Sequence, residues 1–155
     1  MTYSPPSPDW VDHHLPDPVT QPEFYADVTA KRAFAWVIDL IVVAAIVVPV
    51  ILLTLGIALF FIPFLFLVLS FAYRVITIAN GSATWGMRMM GIELRNARGE
   101  RFDLGMAFLH TLGYSLAIGT ALVQIVSVVL MATTERGQGL SDLFLGTVMI
   151  NRRGL

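Results

Sequence analysis

Hydrophobic positions along this chain fall into two long blocks separated by a polar stretch. Between Asp39 and Arg74 no side chain is charged, and residues 40–73 are almost wholly Val, Ile, Leu, Phe and Ala. One membrane crossing takes about 20 apolar residues, so this block and its flanks hold two. The pattern predicts a first transmembrane helix after Asp27, a good N-cap residue, with its membrane part at 33–53. A tight turn follows at 54–56. A second helix runs over 57–79, with Pro63 as a kink point and Asn80-Gly81 as its stop. The second block, 104–132, is interrupted only by His110, Gln124 and small polar residues. It is one long transmembrane helix, or two short ones broken near Gly119. Gly105, Gly113 and Gly119 allow close helix approach.

The stretch between the blocks has a shorter rhythm. Residues 84–91, TWGMRMMG, read as a short interfacial helix with Trp85 at the membrane surface. Ile92, Glu93, Leu94 and Arg95 alternate apolar and polar; after a turn at 96–99, Phe102, Asp103 and Leu104 alternate again, which predicts a β-hairpin. The tail is polar from Arg136 and apolar over 143–150, too short to span, and residues 147–151 are a candidate third strand. At the other end, Pro5, Pro6, Pro8, Pro16, Pro18 and Pro22 deny residues 1–26 regular structure. The expected fold is an all-α membrane protein. It has a transmembrane helical hairpin, a third apolar helical segment and a small cytoplasmic β-hairpin. Residues 1–26 form a disordered acidic Pro-rich arm, 27–151 the membrane domain and 152–155 a tail.

Composition supports that class. The chain of 155 residues is 56% hydrophobic and only 14% charged, against about 25% charged in soluble domains. Its net charge of −1 gives no basic field for nucleic acid, and Arg95, Arg98 and Arg101 lack the aromatic interleaving that single strands stack upon. The absence of cysteine excludes disulfides, thiolate metal sites and cysteine nucleophiles. The first 30 residues lack the basic and apolar regions of a cleavable signal peptide. Lys31 and Arg32 precede the first helix, Arg88, Arg95, Arg98 and Arg101 follow the second, and the turn between has no base, so the arm and residues 82–104 are expected in the cytoplasm. A single crossing by the third block would put the C-terminus outside. A re-entrant pair of short helices would keep it inside, which the strand potential of 147–151 favours.

A few polar residues stand out against the apolar background. Arg32 and Asp39 are seven apart, on one helix face and about 10 Å apart along the axis. Arg74 sits about as far from the inner end of its helix as Asp39 does from the start of the first. We therefore expect Asp39 to pair with Arg74, because an isolated carboxylate at that depth would take up a proton instead. Arg32 either snorkels to the interface or meets a partner. Asp142 either caps a short helix or brings a second carboxylate to the mouth of a site near Arg32.

Other signals read as structural. His13 and His14, with Asp9, Asp12 and Asp17, have no preformed geometry for a metal ion, and no metal or cofactor is expected. Met87, Met89 and Met90 suit an interfacial helix dipping into lipid. His110 is expected to hydrogen-bond a backbone carbonyl, with proton relay as the alternative. Gln124, Ser115, Thr120 and Ser127 are candidate interhelical hydrogen-bond groups. No Ser-His-Asp spacing, phosphate loop or dinucleotide fingerprint occurs, so an enzyme is not expected.

The motifs resemble the RDD family of bacterial membrane proteins, named for one arginine and two aspartates. KRAFAWVID matches its first motif, with Arg32 and Asp39. ATWGMRMMGIELRNARGERFDLGMAFL is similar to its segment of type G-x-T-x-G-K-x-x-x-G-I-x-V followed by a short hairpin, departing at Met87 where a lysine is common. RGQGLSDLFLGTVMI matches the closing motif and places the second aspartate at Asp142. The resemblance implies an integral protein of the bacterial inner membrane and brings no cofactor or catalytic residue. It leads to the expectation of a multi-pass homo-oligomer, or a subunit beside a membrane protein partner, that aids transport of an ion or small solute. Asp39 would lie inside the membrane, with Arg32 and Asp142 flanking the site. The alternative is a non-transporting accessory protein whose charges pin the fold.

Overall fold

The structure is a computed structural model and describes residues 15–152. His13, His14, Asp9 and Asp12 lie outside the described residues.

The apolar run after Ala33, with Asp39 as its one charged residue, propagates one long helix, α1 (Val28–Leu53). It starts where Asp27 predicts, but Asp27 itself is left-handed, with φ 58°, and its side chain makes no cap bond. The turn over 54–56 closes through Leu55 and Gly56, both at positive φ, with the Gly56 N–H on the Ile51 carbonyl. Residues 57–61 form a 3-10 turn; Pro63 then lies in the first turn of α2 (Ile62–Ala79), where a missing N–H costs nothing. The proline thus starts the α-helix instead of kinking it. Both spans are long and apolar enough to cross a membrane, yet only 17% and 11% of their most apolar windows are buried. Apolar surface left so open needs an apolar solvent. Leu55 and Phe60, at the end joining the two helices, are 92% and 85% exposed.

The opposite end of the hairpin carries a folded cap. Thr84 caps α3 (Trp85–Met89), accepting the Met87 N–H at 3.2 Å. The strand β1 (Ile92–Arg95) then forms as expected, but the local hairpin does not. Its partner is β2 (Val148–Asn151), antiparallel, with Ile92 opposite Asn151 and Arg95 opposite Val148. Residues 102–104 fail as a strand because Asp103 caps a helix instead, accepting the Met106 N–H at 2.7 Å. Phe102 turns into the core and its N–H donates to Ser82 Oγ at 2.6 Å. The helix cap and the buried aromatic ring together outweigh a short alternating pattern.

The third block breaks in two: α4 (Leu104–Gly119) and α5 (Ala121–Thr133), bent by 117°. It leaves from beside the end of α2 and comes back to the start of α1, where Thr29 Oγ1 donates to the Met131 carbonyl at 2.9 Å. The short helix α6 (Leu140–Leu145) and β2 complete the cap. The start of α1, residues 82–104 and residues 136–152 therefore share one end of the molecule. The cap core joins Val28, Ala35, Ile78, Leu94, Phe102 and Met149, while Val43, Val47 and Tyr73 form a smaller cluster along the hairpin.

The described half of the proline-rich arm is more regular than its composition predicts. Pro22–Phe24 make a 3-10 turn, and Tyr25 donates its hydroxyl to the Pro16 carbonyl at 2.7 Å. Asn151 reaches across from β2 to donate to the Glu23 and Ala26 carbonyls at 2.8 and 2.9 Å. A strand that ends on a side-chain amide supplies the donors that prolines withhold.

Candidate functional site

Asp39 lies one turn into the apolar part of α1 and is 2% exposed. Its carboxylate is met by three neutral donors: the Tyr73 hydroxyl at 2.7 Å, the Thr84 hydroxyl at 2.7 Å and the Gly86 N–H at 2.9 Å. Arg74 Nη2 stands 3.7 Å from Oδ2, an ion-pair distance beyond hydrogen-bond length. Gly86 is required there. A Cβ on it would collide with the Ala35 carbonyl oxygen and come within 2.8 Å of Asp39 Oδ1. The first turn of α3 thus approaches α1 with bare backbone, and the Gly86 N–H serves the carboxylate while the Trp85 N–H donates to the Tyr73 hydroxyl at 3.1 Å.

Asp142 forms a second buried cluster. It is wholly buried, and Arg32 Nη1 donates to Oδ2 at 2.6 Å. Being third in α6, its carboxylate also reaches back to the Gly139 N–H at 3.0 Å, so the helix-capping role and the ion pair are one arrangement. Thr147 donates to Oδ1 at 3.1 Å, and His110 Nδ1 lies 3.5 Å from the same oxygen. Burial pushes the Asp142 carboxyl up. The charge of Arg32, with His110 and the hydrogen bonds of Arg32 and Gly139, outweighs it and holds the group below its ordinary value. Arg32 also donates to the Gly137 carbonyl at 3.3 Å, so it is bound to the loop after α5 and does not simply snorkel.

Between the two clusters lies the α2–α4 interface. Phe71 and Phe108 meet edge to face at 5.4 Å, and the Arg74 guanidinium stacks on the Tyr114 ring at 4.2 Å. The Tyr114 hydroxyl in turn accepts the Trp36 indole N–H from α1 at 2.7 Å. Arg74 Nε, His110 Nδ1 and Thr111 Oγ1 are buried with no hydrogen-bond partner among the described residues. His110 therefore does not bond a backbone carbonyl through Nδ1; its ring packs on Phe102 at 5.5 Å.

The four charged residues singled out from sequence thus sort into two pairs, Arg74 with Asp39 and Arg32 with Asp142. Sequence spacing put Arg32 and Asp39 on one face, but the fold sends Arg32 to α6 and Asp39 to α3. It did not find Tyr73, Thr84, Gly86, Gly139 or Thr147 as carboxylate partners. The available signal was the T-x-G of residues 84–86 and the two residues between Gly139 and Asp142. Of the polar residues on α4 and α5, Ser127 bonds another element, accepting the Leu140 N–H at 3.0 Å, whereas Ser115 bonds within its own helix. Among the described residues no group of three His, Cys, Asp or Glu side chains is placed to hold a metal ion.

These clusters hold the arginine and both aspartates of the motifs quoted above. The RDD family model matches residues 26–146, most of the chain and all three of those residues. The chain belongs to the RDD family. No curated protein and no solved structure matches it. RDD membership and the two apolar helices fit a membrane protein. The family match ends inside the cap, just before the strand that closes it.

Proposed function

We propose that this RDD protein aids the movement of an ion or small solute across the bacterial inner membrane. The observation that carries the reading is the apolar α4–α5 pair, which turns by 117° and returns to the end of the molecule that holds the buried Arg32–Asp142 pair. Helix breaks at membrane depth are tolerated where they line a cavity or are covered by protein. In this reading the α4–α5 pair is the moving element. Arg32 and Asp142 latch it at the inner mouth, and Asp39 is the charged group within the membrane.

Orientation follows from the bases. Lys31, Arg32, Arg88, Arg95, Arg98, Arg101, Arg136 and Arg152 belong to segments at the cap end, so we place that end, with the N-terminus and residues 82–104, in the cytoplasm. Two or three spans enclose little volume, so the working unit is a homo-oligomer or a complex with another membrane protein. No catalytic step belongs to this reading.

A second reading rests on the saturation of both carboxylates. Asp39 has three hydrogen-bond donors and Asp142 three, which suits an accessory protein whose charges pin a cap onto a hairpin. Reconstitution separates the two. Vesicles containing the native chain are expected to pass protons, cations or small solutes above protein-free vesicles, and Asp39→Asn to lose that flux. Native-rate flux in Asp39→Asn removes the transport mechanism.

A further inference from the structure

We propose that His110 and Asp142 form a proton-binding site, and that a proton taken up by His110 moves Asp142 from Arg32 to the imidazole and so releases α6 from α1. The starting point is an unfinished contact. His110 is 5% exposed, and its Nδ1 has no hydrogen-bond partner among the described residues. That atom lies 3.5 Å from Asp142 Oδ1. A neutral imidazole carries one ring hydrogen. With the hydrogen on Nε2, the bare lone pair of Nδ1 faces a carboxylate oxygen. With it on Nδ1, the hydrogen bond is stretched beyond its normal length of about 3 Å. Only the doubly protonated ring offers Asp142 both a donor and a positive charge.

The other carboxylate oxygen is already taken. Arg32 Nη1 donates to Oδ2 at 2.6 Å, beside the Gly139 N–H at 3.0 Å, while Oδ1 has the Thr147 hydroxyl at 3.1 Å. One carboxylate balances one cation. An imidazolium added to the intact Arg32–Asp142 pair leaves one buried positive charge in excess, and an uncompensated buried charge is costly. The surrounding elements offer no relief. The charges that act on the ring are Asp142 of α6, Arg32 of α1 and Arg74 of α2, and Arg74 already faces Asp39. No residue of α5 is charged. The other titratable group of α4 is Tyr114, which carries Arg74 on its ring and the Trp36 N–H on its hydroxyl. The imidazole packs on the apolar ring of Phe102 at 5.5 Å, and Arg101 and Asp103 on either side of that residue are exposed.

Arg32 is the cation with somewhere to go. It stands in the second turn of α1, and its side chain is 13% exposed. Its bond to the Gly137 carbonyl is long, at 3.3 Å. A long basic side chain near a membrane surface reaches water readily, whereas His110 is fixed in α4. Protonation therefore exchanges partners at constant buried charge. The imidazolium takes the carboxylate and the guanidinium returns to water. α6 stays tied to α4 and lets go of α1. The inference rests on the reading of Arg32 and Asp142 as a latch, and it asks for no flux.

The test uses the full chain in detergent and reads the strength of the latch, so its failure and the failure of transport are separate results. Arg32→Gln, Asp142→Asn and the double variant give the coupling between the two side chains. It is measured at about pH 8 and about pH 5, the range over which an ordinary imidazole charges. The coupling is expected to fall by about tenfold, or about 1.4 kcal/mol, at the lower pH. In a His110→Gln background it is expected to stay constant. A second measurement needs no variant at position 110. In a chain carrying His13→Gln and His14→Gln, whose one imidazole is His110, the ring nitrogen NMR signals are expected to titrate. Their midpoint is expected about one pH unit higher when Arg32→Gln is added, which is the same tenfold seen from the proton's side. An unchanged coupling in the native chain overturns the proposal. So does an equal fall in the His110→Gln background, or a ring titration that the loss of Arg32 does not move.

Discussion

Arg32 Nη1 and Asp142 Oδ2 lie 2.6 Å apart across 110 residues of chain, and they join the first helix to the last. Both belong to the cap end of the molecule, and the pair holds α6 against the start of α1. Removing one partner of a buried pair leaves an uncompensated charge and costs about 3–5 kcal/mol. Asp142→Asn and Arg32→Gln are each expected to lose stability on that scale. The double variant is expected to lose clearly less than the sum. A denaturant-unfolding cycle in detergent measures this. Strict additivity would show that the two side chains act independently.

The same pair sets an acid limit. The Asp142 carboxyl is held below its ordinary 3.8 in the folded state. The unfolded chain therefore binds the proton more readily, and the stability from this group is fully present above that ordinary value. It is lost as pH falls through the lower folded value. Unfolding midpoints measured from pH 7 down to pH 3 are expected to be flat near neutrality and to fall below about pH 4. In Asp142→Asn the fall is expected to be shallower. Equal acid slopes in the two proteins would mean that the drop comes from other carboxylates, of which Glu93, held low by Arg95 and Arg152 despite its burial, is the next candidate.

Gly86 and Gly119 make a contrasting pair. A Cβ on Gly86 meets the Ala35 carbonyl oxygen and Asp39 Oδ1, whereas one on Gly119 meets nothing within 4 Å. Overpacking a tight contact costs about 1–3 kcal/mol, and here it would also displace a carboxylate donor. Gly86→Ala is expected to destabilise by at least that much, with Gly119→Ala within about 0.5 kcal/mol of native. Equal unfolding midpoints for the two variants would deny the close approach of α3 to α1.

Much of this arrangement was legible in the sequence, for identifiable reasons. An apolar run with no charge between Asp39 and Arg74 has few ways to fold, so the hairpin and its turn at 54–56 follow from local pattern, whereas the break near Gly119 was one of two alternatives that the pattern left open. The closing motif announced Asp142, and the depth argument brought Asp39 beside Arg74. What local pattern could not supply was long-range pairing. Ile92 to Arg95 carry the alternation of a strand, but nothing nearby says that the partner is 148–151 rather than 102–104. That choice was made by Asp103, which caps a helix, and by Phe102, which fills the core. The carboxylate donors were equally hidden. Tyr73, Thr84 and Gly86 lie 34, 45 and 47 residues along the chain from Asp39, and only the approach of α3 to α1 gives them a common target.

The return of the third block makes the most direct prediction. The Thr29 bond to the Met131 carbonyl and the Arg32 bond to the Gly137 carbonyl both require the chain after α5 to lie at the end where α1 begins. A chain with no cysteine of its own gives a clean background for labelling. Single cysteines in place of Arg98 and Glu135, both exposed in the cap, are expected to react with a membrane-impermeant thiol reagent from the same side of sealed vesicles. A cysteine in place of Leu55, in the hairpin turn, is expected to react only from the other side. If the cysteine at 135 instead labels together with the one at 55, the third block crosses once. Asp142 then lies across the membrane from Arg32, and neither the latch nor the β1–β2 sheet can exist in the bilayer.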